Sequence, residues 1–138
     1  MQYPLIFTPE DGDIVVRSRD FPELLTSGET DAEALENAED ALAVVVLKYI
    51  EKGLPLPQVT SPEEGERIVY LPAQEAAKAA VIQAFKEAGI TKTELANRME
   101  IGENEARRIL DPDYGTKLDK LDAAARAMGR RIIVDLAA

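Results

Sequence analysis

Residues Thr30 to Pro55, "TDAEALENAEDALAVVVLKYIEKGLP", decide the fold class, because they admit two readings. Val44-Val45-Val46 taken alone favours a strand, since β-branched side chains suit a pleated, half-buried surface. The ends of the segment point the other way. Thr30-Asp31-Ala32-Glu33 is a capping box, in which the Thr30 hydroxyl accepts from the Glu33 amide and the Glu33 carboxylate reaches back to the Thr30 amide. Lys48 and Lys52 sit where a helix dipole is negative, and Gly53 with Pro55 stops the run. Leu35, Ala38, Leu42, Val45 and Tyr49 recur at steps of three and four, which predicts one long helix with an apolar stripe.

Around that helix the first half of the chain reads as strand and turn. Tyr3 to Phe7 is apolar and extended, Pro9-Glu10-Asp11-Gly12 is turn chemistry, and Ile14 to Ser18 is β-branched, so the two runs predict a hairpin. Phe21-Pro22-Glu23 with Leu24-Leu25-Thr26 predicts a third short strand, which Ser27-Gly28 closes. Leu54 to Glu66 holds Pro55, Pro57 and Pro62 and is a loop by composition; Arg67 to Leu71 predicts a last strand, ended by Pro72. A β-β-β-α-β unit with its helix on one sheet face is an α+β domain, residues 1–72. The chain shows no internal repeat.

From Ala73 the composition turns helical, and residues 73–138 form the second predicted domain. Ala73 to Ala88 carries Ala76, Ala80, Val81 or Ile82, and Phe85 on one side, with Gly89 as a left-handed cap. Thr91 and Glu94 make a second capping box for a short helix to Met99; a turn at Glu100 to Gly102 follows, then a helix from Glu103 to Leu110. Thr116 with Asp119 predicts the cap of a helix running to Met128 and ended by Gly129. Arg131 to Leu136, "RIIVDL", reads as a strand, with Ile132 and Val134 on one face and Ile133 and Leu136 on the other. A lone strand after four helices has no ladder partner in its own domain.

Composition narrows the chemistry. The 138 residues contain no cysteine, which excludes disulfides, thiolate metal sites and a thiol nucleophile, and no histidine, which removes the commonest general acid-base and metal ligand. No apolar run approaches the roughly 20 residues that span a bilayer, and the start lacks the pattern of a secretory signal, so a cytoplasmic protein is expected. Two small domains have thin cores, which makes oligomerisation a reasonable expectation. The formal net charge is -10, and all of the excess is N-terminal: residues 1–71 carry 15 acidic against 5 basic side chains, residues 72–138 eleven of each.

Two short helices joined by a tight turn, with Leu95, Ala96, Ile101, Ala106, Ile109 and Leu110 facing inward, match the helix-turn-helix pattern in which the second helix enters the major groove of DNA; a plain bundle of small helices would use the same spacing. In the DNA-binding reading, Thr91, Lys92, Thr93, Tyr114, Thr116 and Lys117 lie at helix starts or flanking loops and are the candidates for phosphate contact. Asn104, Arg107 and Arg108 are the candidate base readers, although the two arginines also suit a solvated helix face. Arg131, Ile132, Ile133, Val134 and Leu136 are the candidate dimerisation strand, since an apolar edge invites a second copy, which would set two recognition helices roughly 34 Å apart. The alternative is that this segment packs back on its own helices. In the first half Asp11, Asp13, Asp20 and Glu23 flank strands and Glu33, Glu36, Glu39 and Asp40 line the helix. A two-metal phosphoryl-transfer site could be imagined from them, but a solvated acidic face that docks a basic nucleic-acid-binding protein needs only complementary potential. We therefore expect no metal, no cofactor and no enzyme activity.

The sequence resembles the HicB-family antitoxins over nearly its whole length. The resemblance is carried by "YPLIFTPEDGDIVVRSRDFPELLTSGET", with its aromatic-Pro start, Asp20-Phe21-Pro22-Glu23 and Gly28-Glu29-Thr30, then by "DAEALENAEDAL" and the later "LANRM…ARRIL". It implies a partial ribonuclease-H-like N-terminal fold without a working catalytic centre, and a C-terminal helix-turn-helix that dimerises and binds the operator of its own operon. It also implies a partner, a HicA-type toxin: a small basic mRNA interferase with a catalytic histidine, whose RNA surface the acidic domain would cover. Asp20, Glu23, Glu29, Glu36, Glu39 and Asp40 are the candidate toxin contacts. The sequence departs from helix-turn-helix relatives in carrying Glu100 where the turn usually has glycine, and Glu103 and Glu105 add negative charge at the start of the recognition helix. The competing account is a stand-alone transcriptional regulator whose N-terminal domain senses a ligand.

Overall fold

Asp11 and Gly12 both take positive φ, 50° and 86°, and form the two-residue turn that starts the sheet. In the computed structural model, which describes residues 1–138, β1 (Gln2–Glu10) and β2 (Asp13–Arg17) pair antiparallel with Glu10 opposite Asp13. Positive φ at both turn residues suits the right-handed twist of the flanking strands. β3 (Leu25–Gly28) pairs with β2 and β4 (Glu66–Tyr70) with β1, giving the antiparallel order β3-β2-β1-β4. The third strand begins later than its sequence predicts. Ser18 Oγ accepts from the amides of Asp20 and Phe21 (3.1 and 2.9 Å), and Phe21 O accepts from the Leu24 amide, so residues 20–24 spend their backbone groups on a local turn.

The long segment quoted above is helical: α1 (Asp31–Glu51) starts at Thr30, whose hydroxyl accepts from the Glu33 amide at 3.1 Å, and Gly53 (φ 70°) follows its end. Its buried face differs from the predicted stripe. Ala34, Ala38, Leu42, Ala43, Val46, Leu47 and Ile50 are buried, while Leu35, Val45 and Tyr49 are only half-buried at the margins. Close approach to the sheet explains the rotation: a Cβ built on Gly28 would lie 2.3 Å from the Ala34 backbone nitrogen, so the helix meets β3 through its smallest side chains. Phe21 fills the centre of this unit, edge-to-face with Tyr3 (4.8 Å) and Tyr49 (5.0 Å). Such pairs add about 0.5–1.5 kcal/mol each beyond the area they bury.

The chain divides into two compact units, Met1–Ala76 and Ala77–Ala138, and α2 (Ala73–Ala88) runs across the division to end at Gly89 (φ 67°). The second unit continues with α3 (Lys92–Met99), α4 (Glu103–Ile109) and α5 (Leu118–Ala127). Thr91 caps α3 as its sequence predicts, accepting from the Glu94 amide at 3.1 Å. Ala77, Val81, Ile109, Leu121, Ala124 and Ala125 form the core of this unit, with Met99, Ile101, Met128 and Ile132 packed at its margin.

Two expectations fail here, and a third, the terminal strand, is not formed within the single chain. Ala80 is exposed, because the inner face of α2 is turned toward Ala77, Lys78 and Val81. Thr116 does not cap α5: the cap residue is Lys117, without a side-chain bond, and Thr116 is buried beneath it (5 % exposed). Residues 131–136 form no strand. Ile132 is drawn into the unit's own core, and Ile133, Val134 and Leu136 stand 88, 75 and 92 % exposed. A strand needs a neighbour's backbone to satisfy its amides and carbonyls, and the helical unit offers none. The sheet and the five helices make an α+β chain.

Candidate functional site

In the second unit, α3 and α4 meet at a left-handed residue. Glu100 ends α3 with φ 56° and ψ 44°, a conformation that ordinarily favours glycine, and its amide bonds back to the last turn of the helix. Leu95, Ala96, Ala106, Ile109 and Leu110 are buried and Ile101 partly so, which turns the outer faces of both helices to solvent. Thr91, Lys92, Asn104, Arg107 and Arg108 are exposed there. Thr93 is exposed too, but its hydroxyl donates to Glu103 Oε1 at 2.9 Å, and Arg107 lies 3.8 Å from the same oxygen. Glu105 is bound by the Lys120 ammonium. The two carboxylates that open α4 are thus answered by cations within their own unit.

Arg108, Tyr114, Thr116 and Lys117 come together with Glu105 and Lys120 around one cavity of about 460 Å³ between α4 and the start of α5. The Arg108 guanidinium lies 5.6 Å over the Tyr114 ring. Behind three of the lining residues lies one that the sequence does not mark, Lys78 of α2, only 3 % exposed. Its ammonium donates to Arg108 O (2.9 Å), Ile109 O (2.8 Å) and Thr116 Oγ1 (2.7 Å). Burial holds its pKa down at about 8, against the smaller opposing field of Asp111. The one trace of it in the sequence is a lysine amid alanines, "AAKAAVI", where a surface position would look the same.

In the first unit the acidic candidates are spread, not gathered. Glu29, Glu36 and Asp40 are exposed on and before α1, and Glu36 and Asp40, four residues apart, share one helix face. Glu39 is half-buried. Glu23 is exposed and accepts a hydrogen bond from the Tyr49 hydroxyl, which raises the Tyr49 pKa. Asp20 is half-buried, with Oδ2 shielded from solvent and without a hydrogen-bond partner; burial first, and the Asp20 charge second, push the Tyr3 hydroxyl upward. No three carboxylates converge closely enough to hold a metal ion. Arg19, a residue the sequence did not single out, reaches Glu66 (3.0 Å), Glu63 (3.0 Å) and Ser61 O (3.0 Å) and ties down the proline-rich loop that Tyr3 also holds through Pro57 O (3.1 Å).

The same order of features recurs in known proteins. The family of HicB-like antitoxins of bacterial toxin-antitoxin systems matches residues 2–80, the whole sheet unit and the first half of α2. The chain belongs to the HicB-like antitoxins. Similarity to individual members extends through the helices. Antitoxin HicB 1 of Photorhabdus laumondii is 37 % identical over 139 residues, covering 99 % of this chain and 87 % of that protein. Antitoxin HicB of Escherichia coli K12 is 35 % identical over 133 residues, 96 % of both chains, and Antitoxin HicB of Pseudomonas fluorescens 29 % over 138 residues, covering 99 % of this chain and 94 % of that one. These relatives are named as antitoxins, in keeping with a chain that is not an enzyme. No helix is long and apolar enough to cross a membrane.

Proposed function

We propose that this HicB-like antitoxin neutralises a HicA-type toxin, a small basic mRNA interferase, by laying its acidic first unit over the toxin's RNA-binding surface and active site, and that its second unit binds operator DNA as a dimer to regulate its own operon. The observation that carries this reading is the separation of charge: 15 acidic against 5 basic side chains through residue 71, then eleven against eleven. A basic toxin answers the first surplus, because complementary potential speeds encounter and selects the partner. The helical half, residues 72–138, with no net charge of its own, can approach phosphates, and Thr91, Lys92, Asn104, Arg107, Arg108, Tyr114 and Lys117 are its exposed candidates. Thr93 already bonds Glu103, and buried Thr116 bonds Lys78, so neither is offered freely. Ile133, Val134 and Leu136 give the dimer an apolar run that a second copy could complete as a ladder. A partial ribonuclease-H-like ancestry would accord with the sheet unit and its single long helix.

Expression of the small basic reading frame adjacent to the gene, with and without this protein, tests the reading, followed by co-purification. Arrested growth, rescue and a stable complex support neutralisation by contact. Toxicity without rescue or binding refutes it and leaves the ligand-sensing regulator as the better account.

A further inference from the structure

We propose that Lys78 is the positioning residue of the DNA-contacting surface: reaching from α2, its ammonium gathers the carbonyls of Arg108 and Ile109 and the Thr116 hydroxyl, and so fixes where Arg108, Tyr114 and Lys117 stand. The inference rests on the operator-binding reading for its purpose, but its geometry is independent of it. α4 has only seven residues, and its last carbonyls lack the i+4 amides that a continuing helix would supply. Arg108 O accepts from the Asp111 amide at a long 3.3 Å and Thr116 Oγ1 lies 3.5 Å away; Lys78 supplies the short bond. An ammonium has three protons, and here all three go to uncharged oxygens at 2.7–2.9 Å. A cation at the negative end of α4 is also favoured by the helix dipole.

The consequence is mechanical. Asp111 to Lys117 connect α4 to α5 without regular structure beyond turns, held locally by the Asp111 carboxylate on the Asp113 amide and by the Tyr114 amide on Asp111 O. Those bonds shape the start of the loop; its far end is pinned to α4 through Thr116 and Lys78. Arg108 and Lys117, which both line the cavity, are therefore tied together through a buried side chain that bonds the Arg108 carbonyl and the Thr116 hydroxyl next to Lys117. A surface that meets phosphates needs its donors held in place by a rigid second layer, and Lys78 is that layer.

The test uses the full chain in three forms, unaltered, Lys78→Met and Thr116→Val, with two readouts. In the free protein, hydrogen exchange of the amides from Asp111 to Lys117 is expected to quicken at least tenfold in Lys78→Met and severalfold in Thr116→Val, while the buried amides of α2 keep their protection. On a duplex from the gene's own promoter, affinity is expected to fall at least tenfold in Lys78→Met, and the slope of log affinity against log salt to lose about 1–2, as phosphate contacts drop out. A merely structural lysine would lower the melting temperature and leave the salt slope of the folded protein where it was. Unchanged loop exchange in either folded variant overturns the proposal whatever the DNA does; should Lys78→Met fail to fold, Thr116→Val decides. Quickened exchange with no promoter binding by the unaltered chain leaves the clamp standing and refutes the operator reading instead.

Discussion

Replacing Gly28 with alanine is expected to destabilise the sheet unit by about 2–4 kcal/mol, although Gly28 needs no special backbone conformation. The cause is space. The new Cβ would lie 2.3 Å from Ala34 N, 2.7 Å from Ala34 Cα and 2.8 Å from Glu33 C, where ordinary contact begins at 3.4 Å. All three atoms are helix backbone, so no side chain can swing aside and α1 must retreat by about 1 Å to restore ordinary contact. That shift strains three bonds at once: Thr30 Oγ1 with the Glu33 amide (3.1 Å), Asn37 Nδ2 with Ser27 O (2.8 Å) and Arg67 with Asp31 (2.7 Å). A lost cap costs about 1 kcal/mol and a lost neutral hydrogen bond about the same, the exposed ion pair adds little, and overpacking contributes about 1–3 kcal/mol before relaxation recovers part of it. Urea unfolding followed by tyrosine near-UV dichroism reads this unit, because Tyr3 and Tyr49 pack against Phe21. Gly115→Ala is the control, with open space around its Cβ, no positive φ and no place at a helix cap. A loss under about 0.5 kcal/mol for Gly28→Ala, no larger than the control, would refute the reasoning, because it would mean that α1 does not rest on β3 as closely as described.

Further outcomes are expected. Glu100→Gly should stabilise the helical unit by about 0.5–1 kcal/mol in thermal unfolding, since the left-handed conformation costs a side chain more than glycine's extra unfolded-state freedom does. Lys78 has a folded pKa of about 8 against 10.5 unfolded, so between those values the unfolded chain binds more protons; the stability of the helical unit should rise with pH from about 8 to 10 by up to about 1.4 kcal/mol per unit, and Lys78→Met should abolish the rise. Above pH 10 the sign reverses in the sheet unit, where Tyr3 and Tyr49 are raised and their contribution is lost as they ionise. Charge reversal at Glu36, Glu39 and Asp40 should weaken binding of the proposed toxin more at low than at high salt by titration calorimetry; equal affinity would move the contact elsewhere. In the proposed operator complex Arg107→Ala should relax base preference and cost about 1–3 kcal/mol, whereas Lys92→Ala should lower affinity evenly across sequences; normal binding by both would displace the recognition helix.

Local signals were legible wherever one residue type has one physical use. Thr30, Thr91, Gly53 and Gly89 mark helix ends through caps and positive φ, and the elements they bound lie within a few residues of where the sequence puts them. What sequence periodicity could not supply was the rotation of a helix about its axis. Leu35, Val45 and Tyr49 made as regular a stripe as the true one, and only the close contact of Gly28 with Ala34, between residues that each look unremarkable, selects the face. Lys78 and Thr116 failed for a related reason. A capping threonine and a surface lysine are the ordinary readings of those residue types, and nothing short of the fold reveals that they bury each other across 38 positions. The "RIIVDL" segment has the composition of a strand, but a strand is a property of two backbones, and one chain provides one.

The two units also handle their charge differently, and this bears on how a net charge of -10 and the proposed phosphate-facing surface could share a chain. Around α3, α4 and α5 five carboxylates have cations of their own: Glu94 with Arg98, Glu103 with Arg107, Glu105 with Lys120, Asp122 with Arg126, and Glu87 with Arg130. Each exposed pair is worth little to stability, yet each cancels a negative field that would otherwise meet a phosphate. The sheet unit cannot do the same. Arg17, Arg19 and Arg67 are already committed to Glu10, to Glu63 and Glu66, and to Asp31, which leaves Lys48 and Lys52 as the remaining cations for the rest of the acidic surface. A surplus that cannot be neutralised internally is answered by counterions or by a basic surface, and releasing those counterions favours the second. On the proposed reading the excess charge is a docking potential carried by one unit, and the ion pairs of the other leave the proposed DNA-facing helices without a surplus of their own.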